Sequence, residues 1–160
     1  MENILAFIHG LESTARGTKG QYFHEYFPQM IIEDFSGNFI KRMRKLNNTL
    51  NGKNNLIIVG SSFGGTMAVQ YAAENEKKMK KLILLAPALN LPELNLKPKQ
   101  HLDIPVIVYH GTQDDVVDHY LVKDIAQKIF IKLEHHLVDD DHSLHKTFYL
   151  LDWYKLLRME

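Results

Sequence analysis

Short apolar runs alternate along the chain with longer amphipathic stretches. Four runs of four or five residues have little polar interruption: residues 4–8, 56–59, 82–85 and 106–109. Runs of this kind are typical of strands that are buried on both faces of a parallel sheet. Residues 30–32 and 133–138 are weaker strand candidates. The pattern therefore predicts a mostly parallel sheet of about six strands.

Helical patterns occupy the intervals between these runs. Apolar residues recur at helical spacing in residues 38–50 and 119–130, residues 64–75 are small and apolar, and residues 142–157 form a closing aromatic-rich stretch. Alternating strands and helices predict an α/β fold with helices on both faces of the sheet. Residues 87–104 contain three prolines and are too short for a second domain, so we expect a loop there. The chain is thus expected to be one domain, residues 1–160.

Composition and charge exclude several classes of function. Nineteen basic residues balance nineteen acidic ones, so no net field is expected to attract nucleic acid or an anionic membrane. The absence of cysteine excludes disulfides and thiolate catalysis. No apolar run approaches the roughly 20 residues of a membrane span, and the first residues lack the pattern of a signal peptide. We expect a cytoplasmic protein, with its oligomeric state left open.

The strongest chemical signal is Gly-Ser-Ser-Phe-Gly at residues 60–64, between a predicted strand and a predicted helix. A Gly-x-Ser-x-Gly segment in that setting forms a sharp turn that exposes its central serine as a nucleophile. Ser62 is therefore the predicted nucleophile. The alternative is a glycine-rich turn in which the serine is incidental, and Ser61 beside it shows that serines are common in this segment.

The segment His9-Gly10-Leu11 directly follows the first predicted strand. Acyl transfer requires two backbone N–H groups that point at the developing oxyanion. One should come from the residue after the nucleophile, Phe63, and the other from a loop after an earlier strand, for which Leu11 is the candidate. The alternative for His9 and Gly10 is a plain turn that ends a strand.

Residues 110–117, His-Gly-Thr-Gln-Asp-Asp-Val-Val, follow the strand predicted at residues 106–109. An acid in a loop at the carboxyl end of a strand is well placed to orient an imidazole. Asp114 is the first candidate and Asp115 the second. Asp118 is better suited to cap the helix that follows, because aspartate accepts N–H bonds at that position. His110 closes a strand and is expected to be structural.

The general base is predicted in the last loop, within the segment Asp139-Asp140-Asp141-His142-Ser143. His142 stands after the last predicted strand and can reach a serine on a central strand, while His136 and His145 are its competitors. Three adjacent aspartates suggest a metal site. They cannot all point at one ion, however, so we expect a solvated acidic loop and no bound metal.

Taken together, His9-Gly10, residues 60–64, residues 110–114 and residues 141–143 resemble the motifs of the α/β-hydrolase superfamily, and the order serine, acid, histidine is that of its members. The chain is most similar to a minimal, lidless bacterial serine esterase. The resemblance implies an α/β-hydrolase fold without the first two strands and without a large lid. It also implies that Ser62, His142 and Asp114 cleave an ester through an acyl-enzyme without a cofactor.

The resemblance leaves the substrate open. We expect a small-molecule ester or thioester, with no nucleic acid and no membrane as partner. The alternatives are a thioesterase or other acyl hydrolase of the same fold, and a binding protein of this fold that lacks catalysis.

Overall fold

Six parallel strands form the centre of the computed structural model, which describes residues 1–158. The strands are β1 (Ile4–Ile8), β2 (Ile31–Ile32), β3 (Leu56–Ser61), β4 (Met79–Leu85), β5 (Leu102–Gly111) and β6 (Phe130–Val138). Their order across the sheet is β2-β1-β3-β4-β5-β6, and every pair is parallel. The predicted fold class and all six predicted strands are confirmed.

The helices match the prediction less closely. They are α1 (Thr18–Tyr26), α2 (Phe39–Thr49), α3 (Phe63–Glu74), α4 (His119–Ile129), α5 (Thr147–Leu150) and α6 (Trp153–Leu156), with a 3₁₀ turn at Glu76–Lys78. Helix α1 was not predicted. The single closing helix predicted at residues 142–157 is wrong, because Leu151 is extended and Asp152 starts a new helix by accepting a bond from Lys155 N. None of the described helices is long and apolar enough to cross a membrane.

Two apolar clusters cover the two faces of the sheet. Alternate residues of a strand point to opposite faces, so Ile58 belongs to a cluster that includes residues of α2, α3 and α4, while Ile57 belongs to one that includes residues of α1, α5 and α6. Both side chains are completely buried. This double burial is the reason why the central strand β3 begins with a continuous apolar run in the sequence.

The carboxyl ends of the parallel strands meet at one edge of the sheet and carry the motifs found in the sequence. The segment between β4 and β5, where a lid would be inserted, contains no helix among the described residues. Leu89 in that segment is buried in the core, and Leu91, Leu94 and Leu96 pack against the core. The segment therefore mostly covers the domain and leaves the carboxyl edge of the sheet accessible.

Candidate active site

Ser62 lies at a sharp turn between β3 and α3. Its backbone has φ 54° and ψ −117°, a conformation that is rare for residues other than glycine. The backbone is held by bonds from Ser62 N to Leu85 O and from Ala88 N to Ser62 O. Strain of this kind persists only where the surroundings impose it, and it lifts the serine side chain out of the strand–helix connection.

The glycines around Ser62 make this turn possible. A Cβ on Gly60 would lie 2.6 Å from the carbonyl oxygen of Gly64, and one on Gly64 would lie 2.6 Å from His9 O and closer still to Ile8 O. Because the obstructing atoms belong to the backbone, they cannot move aside as a side-chain tip does. Glycine at both positions therefore allows α3 to approach β1 and β3 closely.

Ser62, His142 and Asp114 are joined in one hydrogen-bonded row. The Ser62 hydroxyl lies 3.0 Å from His142 Nε2, and His142 Nδ1 lies 2.7 Å from Asp114 Oδ2. Since a carboxylate only accepts, Nδ1 carries the proton and Nε2 is free to accept one from the serine. The structure thus brings together the three residues that were predicted as nucleophile, base and acid.

Asp114 is held by four hydrogen bonds. Oδ1 accepts from the backbone N–H groups of Val116 and Val117, each at 2.8 Å, and Oδ2 accepts from His142 and from His110 Nε2, the latter at 3.0 Å. Burial of the side chain acts to raise the pKa of Asp114. The bonds from Val117, His142 and Val116 outweigh burial and leave that pKa below its usual value. Asp114 therefore remains a carboxylate.

The other candidate acids and bases lie elsewhere. Asp115 is exposed, and Asp118 caps α4 by accepting from Tyr120 N and Leu121 N. His145 pairs with Asp141 at 2.6 Å, and His136 stacks on the ring of Tyr109. Neither of these histidines reaches Ser62 in the described hydrogen bonds.

His110 is structural, as expected, but its partner was missed. It is fully buried and donates to the same oxygen of Asp114 that accepts from His142. Burial lowers the pKa of His110, although Asp114 acts to raise it, so the ring remains a neutral donor. The spacing of four residues between His110 and Asp114 across a turn was the available signal in the sequence.

The prediction of a wholly solvated loop at residues 139–141 is wrong for Asp140. Its side chain is buried and accepts from the backbone N–H groups of Asp141, Lys146 and Thr147 at 2.7–3.1 Å. Burial acts to raise the pKa of Asp140, but these N–H groups lower it to about 2. Asp140 thus ties the loop that carries His142 to the start of α5.

His9 orders the loop that carries Leu11. It is buried, its Nδ1 lies 2.7 Å from Gly10 O, and its Nε2 accepts from Phe35 N at 2.9 Å. The ring is therefore neutral and protonated on Nδ1, and burial lowers its pKa. A Cβ on Gly10 would lie 3.4 Å from Ser62 Cβ, so this loop passes directly beside the serine.

A cavity of about 570 Å³ opens over Ser62 and His142, a size typical of small-molecule sites. Leu11 and Phe63 line it, and most of its other walls are apolar, with Phe7, Leu91, Val116, Leu144 and Phe148 among them. Only Ala88, Asn90 and Leu91 of the loop between β4 and β5 contribute to the wall.

Solved structures with the same fold include several hydrolases. The chain is similar to α/β-hydrolase domain-containing protein 10 from mouse, with 20% identity, TM-score 0.77, and coverage of 91% of this chain and 85% of that chain. Est1E from Butyrivibrio proteoclasticus with bound ferulic acid is 14% identical, with TM-score 0.75 and coverage of 93% of this chain and 85% of that chain. An esterase from Pyrococcus furiosus is 13% identical, with TM-score 0.73 and coverage of 96% of this chain and 78% of that chain. At these identities the likeness establishes the fold.

No curated protein matches the sequence. The family model for serine aminopeptidase, S33 (Hydrolase_4), matches residues 9–99, which is more than half of the chain and includes the His9 loop and Ser62. The match ends before Asp114 and His142. The chain belongs to this serine aminopeptidase S33 family of α/β-hydrolases.

Proposed function

We propose that this protein cleaves carboxylic esters with small or short acyl groups, using Ser62 as nucleophile, His142 as general base and Asp114 as the acid that orients it. The observation that carries the proposal is the unbroken row of hydrogen bonds from Ser62 Oγ through His142 to Asp114. Such a row activates a serine for attack on an acyl carbon.

In the proposed mechanism His142 Nε2 takes the proton of Ser62 while the serine attacks the substrate carbonyl. Asp114 keeps the imidazole in the required tautomer and stabilises the imidazolium that forms. His142 then protonates the leaving alcohol. In the second half, a water molecule activated by the same base hydrolyses the acyl-enzyme.

The backbone N–H groups of Leu11 and Phe63 are the proposed oxyanion donors. Both residues line the cavity beside Ser62, and neither N–H donates to another residue in the part of the chain that is described. Phe63 is the first residue of α3, so the positive end of that helix adds to the stabilisation of negative charge. Fixed backbone donors of this kind need no reorganisation during the reaction.

Ester cleavage is supported by the names of two structural neighbours, the Pyrococcus esterase and Est1E with its bound ferulic acid. The absence of a helix between β4 and β5 favours small substrates over those that a lid would enclose. Thioesters undergo the same acyl transfer and remain in the proposed range.

Release of an N-terminal amino acid is the second candidate, because the matching family model is that of a serine aminopeptidase. A free ammonium group would need a carboxylate partner near the scissile bond. Glu12 is an exposed carboxylate in the cavity wall, and it is the residue that could serve.

The test is a panel of p-nitrophenyl esters, acyl-thioesters and aminoacyl-p-nitroanilides, assayed with the wild type and with Ser62→Ala. A fluorophosphonate probe should label the wild type on Ser62, and Ser62→Ala should lose both labelling and ester turnover while Ser61→Ala keeps them. Turnover restricted to the anilides would favour the second candidate. Labelling that persists in Ser62→Ala, or maps to Ser61 or Ser13, would refute the assignment of the nucleophile.

A further inference from the structure

Lys19 is a cation within the wall of the cavity over Ser62. It is the second residue of α1 and lines the cavity together with Ser143 and Phe148. Its Nζ donates to the carbonyl oxygen of Ser143 at 2.7 Å and lies 5.5 Å from the centre of the Phe148 ring. The ammonium group is therefore held at a defined place, next to the residue that follows the proposed base.

This charge has no ion-pair partner within the described residues. Among residues 1–158, no carboxylate oxygen lies within salt-bridge distance of Lys19 Nζ. The two nearby acids are already engaged, since Asp141 pairs with His145 and Asp140 accepts three backbone N–H groups. Burial lowers the pKa of Lys19, and the charges of Asp141 and Asp140 oppose that shift.

The ammonium group keeps donors for a ligand. It has three N–H bonds, of which the Ser143 carbonyl takes one. A partly buried cation that makes no direct ion pair among the described residues is costly, and an anion that enters the cavity would offset this cost. Among the described residues that line the cavity, Glu12 is the one other Asp, Glu, Lys or Arg residue, and it is exposed.

We infer that the substrate carries a negatively charged group, a carboxylate on either its acyl or its alcohol part, and that Lys19 binds this group. The inference rests on the proposed function and narrows its substrate class to anionic esters. Lys19 is then a specificity residue, since it contacts a part of the substrate that takes no part in the reaction. The apolar wall would hold the rest of the acyl chain.

Two matched ester pairs test this inference and distinguish the two positions of the charge. The acyl-side pair is mono(4-nitrophenyl) glutarate against 4-nitrophenyl pentanoate. The alcohol-side pair is 4-acetoxybenzoate against 4-acetoxybenzamide, which is neutral and carries the same single ester. For each pair, the measured quantity is the ratio of kcat/KM for the anionic ester to kcat/KM for the neutral one.

Lys19→Met should lower this ratio roughly 10- to 100-fold in at least one pair, the range expected for losing a bond between charged groups. Lys19→Arg should retain most of the ratio, because it keeps the charge. Lys80→Met is the matched control: Lys80 is an exposed lysine on β4 outside the cavity wall, and its loss should leave both ratios unchanged. Glu12→Gln should leave the ratio equal or higher.

The ratio also separates binding of the substrate from a structural role. If Lys19→Met and Lys19→Arg reduce kcat/KM for both members of each pair equally, Lys19 acts by holding the Ser143 carbonyl and the inference is overturned. The inference is also overturned if, in both Lys19 variants, the ratio of kcat/KM for the anionic ester to that for the neutral ester stays within about threefold of the wild-type ratio. If the wild type turns over neither member of either pair and does not label at Ser62, the proposed function fails, and the inference fails with it.

Discussion

Replacing Asp114 by asparagine changes one acceptor into a donor and leaves the side-chain shape intact. The native carboxylate accepts two N–H groups on each oxygen: Val116 and Val117 on Oδ1, and His110 and His142 on Oδ2. An amide has a single acceptor oxygen. If that oxygen keeps the two backbone donors, its NH₂ group faces the two imidazoles.

The consequence for His142 follows from its tautomer. Opposite an NH₂ group, Nδ1 must accept, so the proton moves to Nε2, which lies 3.0 Å from Ser62 Oγ. A protonated Nε2 cannot take the serine proton, and we expect kcat to fall by about 10⁴-fold. The two bonds to the imidazoles are reversed and lose their charge assistance, a difference of about 1–1.5 kcal/mol each, so the free energy of unfolding should fall by about 2–3 kcal/mol.

The assay is kcat for a p-nitrophenyl ester together with urea unfolding, with Asp115→Asn as the matched control. Asp115 is exposed, so its variant should stay within about 0.5 kcal/mol of the wild type and keep its activity. Equal losses in both variants, or a larger loss in Asp115→Asn, would refute the assignment of the acid. Full activity of Asp114→Asn would refute the tautomer argument itself.

Three further expectations follow from the structure. Gly64→Ala should lose activity and about 1–3 kcal/mol of stability in urea unfolding, because its Cβ would meet the backbone of Ile8 and His9. Gly52→Ala has open space around its Cβ but a φ of 74°, so it should lose about 1 kcal/mol through backbone strain and keep its activity. Asp140→Asn should be less stable than the wild type by about 2 kcal/mol at pH 7. This difference should shrink from nearly its full size at about pH 4 to well under about 1 kcal/mol at pH 2, because a carboxyl whose pKa is lowered to about 2 stabilises only while it is ionised and is half protonated at that pH; an undiminished difference at pH 2 would contradict this. Over esters from acetate to palmitate, kcat/KM should peak at about two to six carbons, and a maximum at long chains would reveal a groove that the cavity does not show.

The inner part of the sheet could be predicted from the sequence because residues 4–8, 56–59 and 82–85 are mostly buried on both faces and are therefore apolar runs. The edge strands β2 and β6 are only partly buried, so their sequence signals are weaker. Helix α1 has no such signature. Only Gly20 and Phe23 of its nine residues are buried, and no side chain caps its N-terminus. Gly20 also lowers the intrinsic helix propensity of the segment. The division of the last helix was signalled weakly, by an aspartate at position 152 that suits a helix start better than a helix interior.

The row of Ser62, His142 and Asp114 could be predicted because each residue lies in a short motif after a strand. Parallel strands end at the same edge, so these motifs meet in space although they are up to 80 positions apart. The residues that hold this row in place carry no comparable signal. Asp140 stood in a run of three aspartates in which nothing local distinguishes the buried one from its exposed neighbour Asp139.

Lys19 shows most clearly why this part of the site could not be predicted. In the sequence it is one lysine among many, in a segment without an apolar pattern. Its contact with the Ser143 carbonyl spans 124 positions and exists only because α1 and the loop after β6 lie over the same edge of the sheet. Motifs at strand ends therefore predicted which residues the structure brings together in the proposed site. The position of Lys19, which we propose selects the substrate, depends instead on segments that are distant in the chain and pack together, and the pairs of anionic and neutral esters test that proposal.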